Sequence, residues 1–216
     1  MYSSSNSGSD AVCMIAKQPL TTGRPHLRVT HFPSLKNSMM IPCGSLLTAG
    51  FCVHFEYEKN IVSYATRPCS VRFLKRNLTV HPDFCAVWAD GTKVFYQICS
   101  DVATLAQYNL SQIAYTKDAF ANAGLVFEHI DVATVQATIR TDTLRTLYFH
   151  SHGGMSSESP GINETLKRHF GGRARFRDLI ELGIPKNHIA HGVFHQALRA
   201  NLLYPANLEM IVEAYH

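Results

Sequence analysis

The stretch HPDFCAVWADGTKVFYQIC, residues 81–99, constrains this chain more than any other. Two runs rich in aromatic and β-branched residues flank Asp90-Gly91, a dipeptide whose backbone accepts the positive φ that a tight hairpin demands, so the spacing predicts adjacent antiparallel strands. Side chains alternate across a strand with a period of two, so residues spaced by two share a face. Two further apolar runs precede the hairpin, IVSYA at 61–65 and CSVRFL at 69–74, and both read as strands. Ahead of them SLLTAGFCVHF, 45–55, repeats apolar residues at helical spacing and predicts one helix entered from Pro42 and Gly44. Beyond the hairpin, Asp101 and Thr104 offer caps for a helix running to about Asn122. Gly124 ends it, LVFEHI forms a strand, and a helical stretch follows from Val132 to Phe149. The fold class is α/β, with a mixed sheet flanked by helices.

Residues 1–23 begin with a Ser-, Asn- and Gly-rich run and read as a flexible tail, leaving a body at 24–150. HSHGGMSSESPG breaks both periodicities and reads as a linker over 151–160. INETLKRHF, RARFRDLIELG and NHIAHGVFHQALRANLL then supply three helix-period stretches, so 161–216 is expected to be a small helical domain of helix-turn-helix or winged-helix type. At 216 residues the chain holds one domain with a small appendage, and 46% hydrophobic against 17% charged residues excludes global disorder. No run of 18 apolar residues and no leader pattern occurs, so the expectation is a soluble, non-exported protein without a membrane partner. Six cysteines without a CxxC pair read as free, buried thiols of a reducing cytoplasm.

The residues of the hairpin, taken with their surroundings, resemble a nuclease core. Pro82-Asp83 on one strand and Gln97-Ile98-Cys99 on the next resemble the PD-(D/E)xK arrangement, in which acidic or amide groups on adjacent strands hold a divalent metal and a lysine two residues on positions the attacking water. Phe32-Pro33-Ser34-Leu35-Lys36, Ser45-Leu46-Leu47-Thr48, and Phe55-Glu56-Tyr57-Glu58-Lys59-Asn60-Ile61-Val62 follow the order and spacing of a more particular family. From about residue 24 to the end, the chain resembles the TnsA-type endonuclease subunit of Tn-seven-like heteromeric transposases. The resemblance implies a restriction-endonuclease-like domain followed by a winged-helix-like one, with double-stranded DNA and a DDE-type transposase as partners.

The departures from that pattern decide the expected function. Thr48 stands where the family's S-x-L-E motif carries its metal-binding glutamate, and Cys99 stands where its Q-x-K motif carries the lysine. Asp83 and Gln97 remain as the catalytic remnants, and Asp83 is the one metal ligand left. Mg²⁺ prefers several oxygen ligands and is usually held by one or two carboxylates with substrate phosphate, so metal binding is expected to be weak or lost and no cofactor is expected unless cleavage persists. Glu56 or Glu58 could replace the glutamate and Lys93 or Lys75 the lysine. Those displacements define the alternative of an active endonuclease. Cys99 as a nucleophile would need a histidine beside it, and an apolar strand favours an inert thiol.

The net charge is +4, with seven cations (Lys167, Arg168, Arg173, Arg175, Arg177, Lys186, Arg199) against two carboxylates (Asp178, Glu181) between 165 and 199. Such a cluster suits DNA phosphates, and these seven residues are the expected DNA contacts. His150 and His152, and the helical trio His188, His191 and His195, have ligand-like spacing. They lack the accompanying Cys or HExxH pattern, and read as a solvated or phosphate-facing helix. The expectation is therefore a cleavage-impaired TnsA-like subunit that binds DNA or a transposase partner, with an active nuclease and a protein-only adaptor as alternatives.

Overall fold

A computed structural model describes residues 11–18, 20, 29–99, 107–135 and 138–215. The chain is mixed α/β and divides into two compact units, Met1–Cys52 with Asn60–Thr134, and Val53–Lys59 with Val135–His216.

The first unit is built on the hairpin. Strands β7 (Phe84–Trp88) and β8 (Lys93–Cys99) pair antiparallel with Phe84 opposite Tyr96 and Ala86 opposite Val94. Gly91, at φ 84°, turns the chain between them, and the Asp90 carboxylate accepts from the Thr92 amide at 2.8 Å. Strand β4 (Ile61–Thr66) lies antiparallel on the other side of β7, and β9 (Val126–Asp131) runs parallel to β8. A parallel neighbour needs a crossover, and α2 (Gln107–Asn122) supplies it. Its Phe120 stacks on Phe127 at 4.3 Å and meets Phe73 and Phe95, forming a closed aromatic core. A second sheet joins β1 (Val12–Ala16), β5 (Cys69–Phe73) and β6 (Leu78–Val80), while β2 (Thr30–Ser34) and β3 (Met39–Cys43) make a separate hairpin. The Phe32–Lys36 segment spans β2 and its turn. Ser34 accepts from the Asn37 amide, Asn37 accepts from the Tyr64 amide, and the Lys36 ammonium donates to the Ile61 carbonyl at 2.5 Å, so this turn is tied to β4.

Helix α1 (Leu46–Tyr57) starts in the first unit, where Phe51 packs on Phe84, and its last residues belong to the second. There the His54 imidazole pairs with the Thr141 hydroxyl at 2.9 Å, Tyr57 meets Phe194, and the Gln196 amide donates to the Tyr57 carbonyl. The second unit continues through α3 (Ile139–Ser151), a 3-10 turn at Ser156–Glu158, α4 (Ser159–Phe170), β10 (Arg173–Arg175), α5 (Phe176–Glu181), α6 (Lys186–Phe194), β11 (Arg199–Ala200) and β12 (Ile211–Glu213). The three strands form one antiparallel sheet with β12 in the middle. Gly171 and Gly172, both at positive φ, end α4, with the Gly172 amide returning to the Leu166 carbonyl. Among the described residues no helix is long and apolar enough to cross a membrane.

Several sequence expectations change. Residues 12–16 of the expected tail form β1, paired with β5 from Val12↔Phe73 to Ala16↔Cys69. Most of β1 is exposed, so it shows none of the alternation that marks a half-buried strand. Residues 151–160 are not an open linker. A Cβ at Gly154 would lie 2.5 Å from both the Asn187 carbonyl and the His191 Cβ, so this backbone is pressed onto α6. The boundary between units therefore falls at 134/135, with α3 in the second unit. Arg173–Arg175 and Arg199–Ala200, read as helical, are strands too short to carry a period of their own. The capping residues Asp101 and Thr104 lie outside the described residues.

Candidate functional site

Asp83 sits just ahead of β7, where its amide donates to the Tyr96 carbonyl at 2.8 Å and its carboxylate Oδ2 accepts from the Ile98 amide at 2.8 Å. Extending the β7–β8 register by one residue sets Asp83 opposite Gln97, so the expected adjacency of these two positions is present. Burial pushes the Asp83 carboxyl above its ordinary range, while the Ile98 amide and the charges of Lys17 and Arg67 pull it back.

Thr48 reaches the same place from α1. Ser45 caps the helix by accepting from the Thr48 amide at 3.0 Å, and the two hydroxyls pair at 2.9 Å. The Thr48 hydroxyl meets the Ser45 hydroxyl, where a capping-box Glu or Gln would reach back to the N-cap backbone amide. Thr48 and Asp83 line one cavity of about 100 Å³, together with Leu20, Gly44, Thr66 and Arg67. The Thr66 hydroxyl donates to the Pro42 carbonyl, and the Arg67 amide donates to the Asp83 carbonyl at 2.7 Å. Arg67 holds φ at 47°, a left-handed conformation uncommon for any residue but glycine.

Cys99 stands apart from this cavity. Its thiol donates to the Ile130 carbonyl at 3.6 Å, and burial, with the adjacent Asp131 carboxylate, raises its pKa. The thiol form dominates, which disfavours a nucleophilic role. Gln97, half-buried on the same face of β8, lies beside His129 of β9 in register. Glu56 and Glu58 belong to the second unit, and neither they nor Lys75 or Lys93 line the cavity. The donor set facing it is thus one carboxylate and two hydroxyls, which does not fit Mg²⁺. Among the described residues no group of three or more His, Cys, Asp or Glu side chains could hold a metal ion. The histidine trio makes no such group, although the rings of His191 and His195 lie 4.2 Å apart. All six cysteines are free thiols, and Cys13 is exposed.

Sequence reasoning passed over Lys17 and Arg67. Lys17 lies in what reads as tail, and Arg67 is a single cation before Pro68. An arginine forced to positive φ becomes visible only when the backbone is known.

In the second unit the seven expected DNA contacts occupy a different electrostatic setting from the one their spacing implies. Arg168 pairs with Glu164, Arg173 with Glu213, and Arg175 and Arg177 with Glu209; Arg177 also reaches Asp178. The Arg199 guanidinium lies over the Tyr215 ring at 4.5 Å. No carboxylate pairs with Lys167 or Lys186 among the described residues. Over 151–216 the seven cations face six carboxylates (Glu158, Glu164, Asp178, Glu181, Glu209, Glu213), so the local excess is nearly cancelled. A cavity of about 860 Å³ in this unit is walled in part by Tyr57, Arg173, Arg199, Tyr204, Glu213 and Tyr215.

No protein-family model matches the chain, and no curated protein matches it.

Proposed function

We propose that this chain is a cleavage-impaired TnsA-like subunit that grips double-stranded DNA in a transposition or related mobile-element complex, alongside a DDE-type transposase. The first unit is then a restriction-endonuclease-like domain and the second a winged-helix-like one. One observation carries the reading: Thr48 and Asp83, far apart in sequence, meet in one cavity, with a hydroxyl at the position where the resemblance calls for a carboxylate. The order α4, β10, α5, α6, β11, β12, with its three-stranded antiparallel sheet, supports the winged-helix assignment, on which α6 would be the recognition helix. Six unbridged cysteines suit the reducing cytoplasm in which such a complex works.

Supercoiled plasmid incubated with Mg²⁺ or Mn²⁺ tests the loss of cleavage. The reading expects no nicking, and metal-dependent nicking abolished by Asp83→Ala would establish the active-nuclease alternative. DNA binding is tested by Arg173→Ala with Arg175→Ala, which should weaken affinity and flatten its dependence on salt.

A protein-only adaptor is the second reading, favoured by the ion pairing of Arg168, Arg173, Arg175 and Arg177 and by the β11–β12 loop. Residues 201–210 contain no Lys or Arg, and Leu203, Tyr204 and Leu208 are exposed there. Unchanged DNA affinity in the double variant would favour it.

A further inference from the structure

The cavity beside Asp83 has lost the donors a metal requires, yet it has not become an apolar filler. Two cations bear on it. Arg67 lines it directly, its amide bonded to the Asp83 carbonyl, and Lys17, outside the lining, is held next to Arg67 by its amide donating to the Pro68 carbonyl, from where its charge lowers the Asp83 carboxyl's pKa. Thr48 adds a hydroxyl that can accept from Ser45 and donate into the cavity. At about 100 Å³ the space holds a few waters or one tetrahedral anion, and it is too small for a nucleoside.

The left-handed backbone of Arg67 is a second, independent mark. The residue precedes Pro68, and glycine would adopt φ 47° at lower cost than the arginine that stands there. Strain of this kind persists where the surrounding structure over-determines it, and it clusters at binding and catalytic sites. Fork-like guanidinium donors match the paired oxygens of a phosphodiester.

We propose that this cavity is a metal-free clamp for one backbone phosphate of duplex DNA, in which Arg67 and Lys17 supply the positive charge that a divalent ion supplies in an active nuclease. The inference rests on the proposed DNA-binding role and assigns the contact within it. Duplex DNA should then bind as tightly in EDTA as in Mg²⁺ at matched ionic strength. Asp83→Asn, which removes a negative charge beside the phosphate, should tighten binding. A site that needed its carboxylate for metal would respond in the opposite sense.

The test is fluorescence anisotropy of a labelled duplex across a salt series, with melting curves for each variant. Arg67→Gly should melt at or above the parent's temperature, because glycine relieves the backbone. It should also bind DNA roughly tenfold more weakly, with the slope of log affinity against log salt reduced by about 0.9. Lys17→Ala should lower the slope similarly, with less effect on affinity. Unchanged affinity and slope in a folded Arg67→Gly would overturn the clamp while leaving DNA binding elsewhere intact. Binding that Mg²⁺ tightens and Asp83→Asn abolishes would also overturn it, in favour of a retained metal site. Absence of duplex binding by the parent would remove both the clamp and the DNA-binding role.

Discussion

Threonine at 48 keeps half of what glutamate would provide there. Its amide still takes the Ser45 cap, so α1 starts where the sequence places it, but no carboxylate reaches Asp83. The cap needs only the backbone of residue 48, which explains why the helix was predictable from Ser45 and the apolar spacing while the cavity was not. His54, further along the same helix, carries the clearest pH signature in the second unit. Burial, assisted by Arg140, lowers its pKa to about 4 from the ordinary 6.5, so the ring is neutral in its bond to Thr141. The unfolded chain binds the proton more readily, so this contribution to stability is complete above pH 6.5 and is lost as pH falls toward 4. Denaturant melts of the second unit should lose about 3 kcal/mol of stability over that window. His54→Gln should flatten the profile, and an unchanged profile would remove His54 from the account.

The β7–β8 hairpin was readable because each of its levels agrees: aromatic and β-branched strands, a turn dipeptide, and an unbroken antiparallel register from Phe84↔Tyr96 to Val87↔Lys93. Strands β1, β10 and β11 were not, because a mostly exposed five-residue run or two to three residues carry no periodic signal; their pairing partners lie 12 to 61 residues away. The Gly153-Gly154 segment misled for a related reason. Glycine marks both flexible connections and close backbone approaches, and only the packing of α6 distinguishes them. Gly154→Ala should therefore cost roughly 1–3 kcal/mol, seen as a lower urea midpoint. Gly161→Ala on α4, where an added Cβ meets nothing within 4 Å, should leave the midpoint unchanged or raise it. Equal effects of the two substitutions would show the segment to be the open linker its composition suggests.

Charge is distributed differently over the molecule than a window of sequence indicates. The cluster between 165 and 199 stands out only while Glu158, Glu164, Glu209 and Glu213 fall outside the window, and the fold returns Glu164, Glu209 and Glu213 to its arginines. DNA affinity, on the proposed function, is then shared between the second unit's remaining cations and the Arg67–Lys17 pair of the first. The central claim, that Thr48 occupies the place of a lost metal ligand beside Asp83, is tested most directly by the melting temperature of Thr48→Glu and parent proteins with and without Mg²⁺. Two neighbouring carboxylates repel when the cavity is empty and are relieved by a divalent ion, so Mg²⁺ at a concentration well above its dissociation constant should raise the melting temperature of Thr48→Glu by several degrees, on the order of 5 °C, and leave the parent unmoved. Equal shifts in both proteins, or none in Thr48→Glu, would contradict the account.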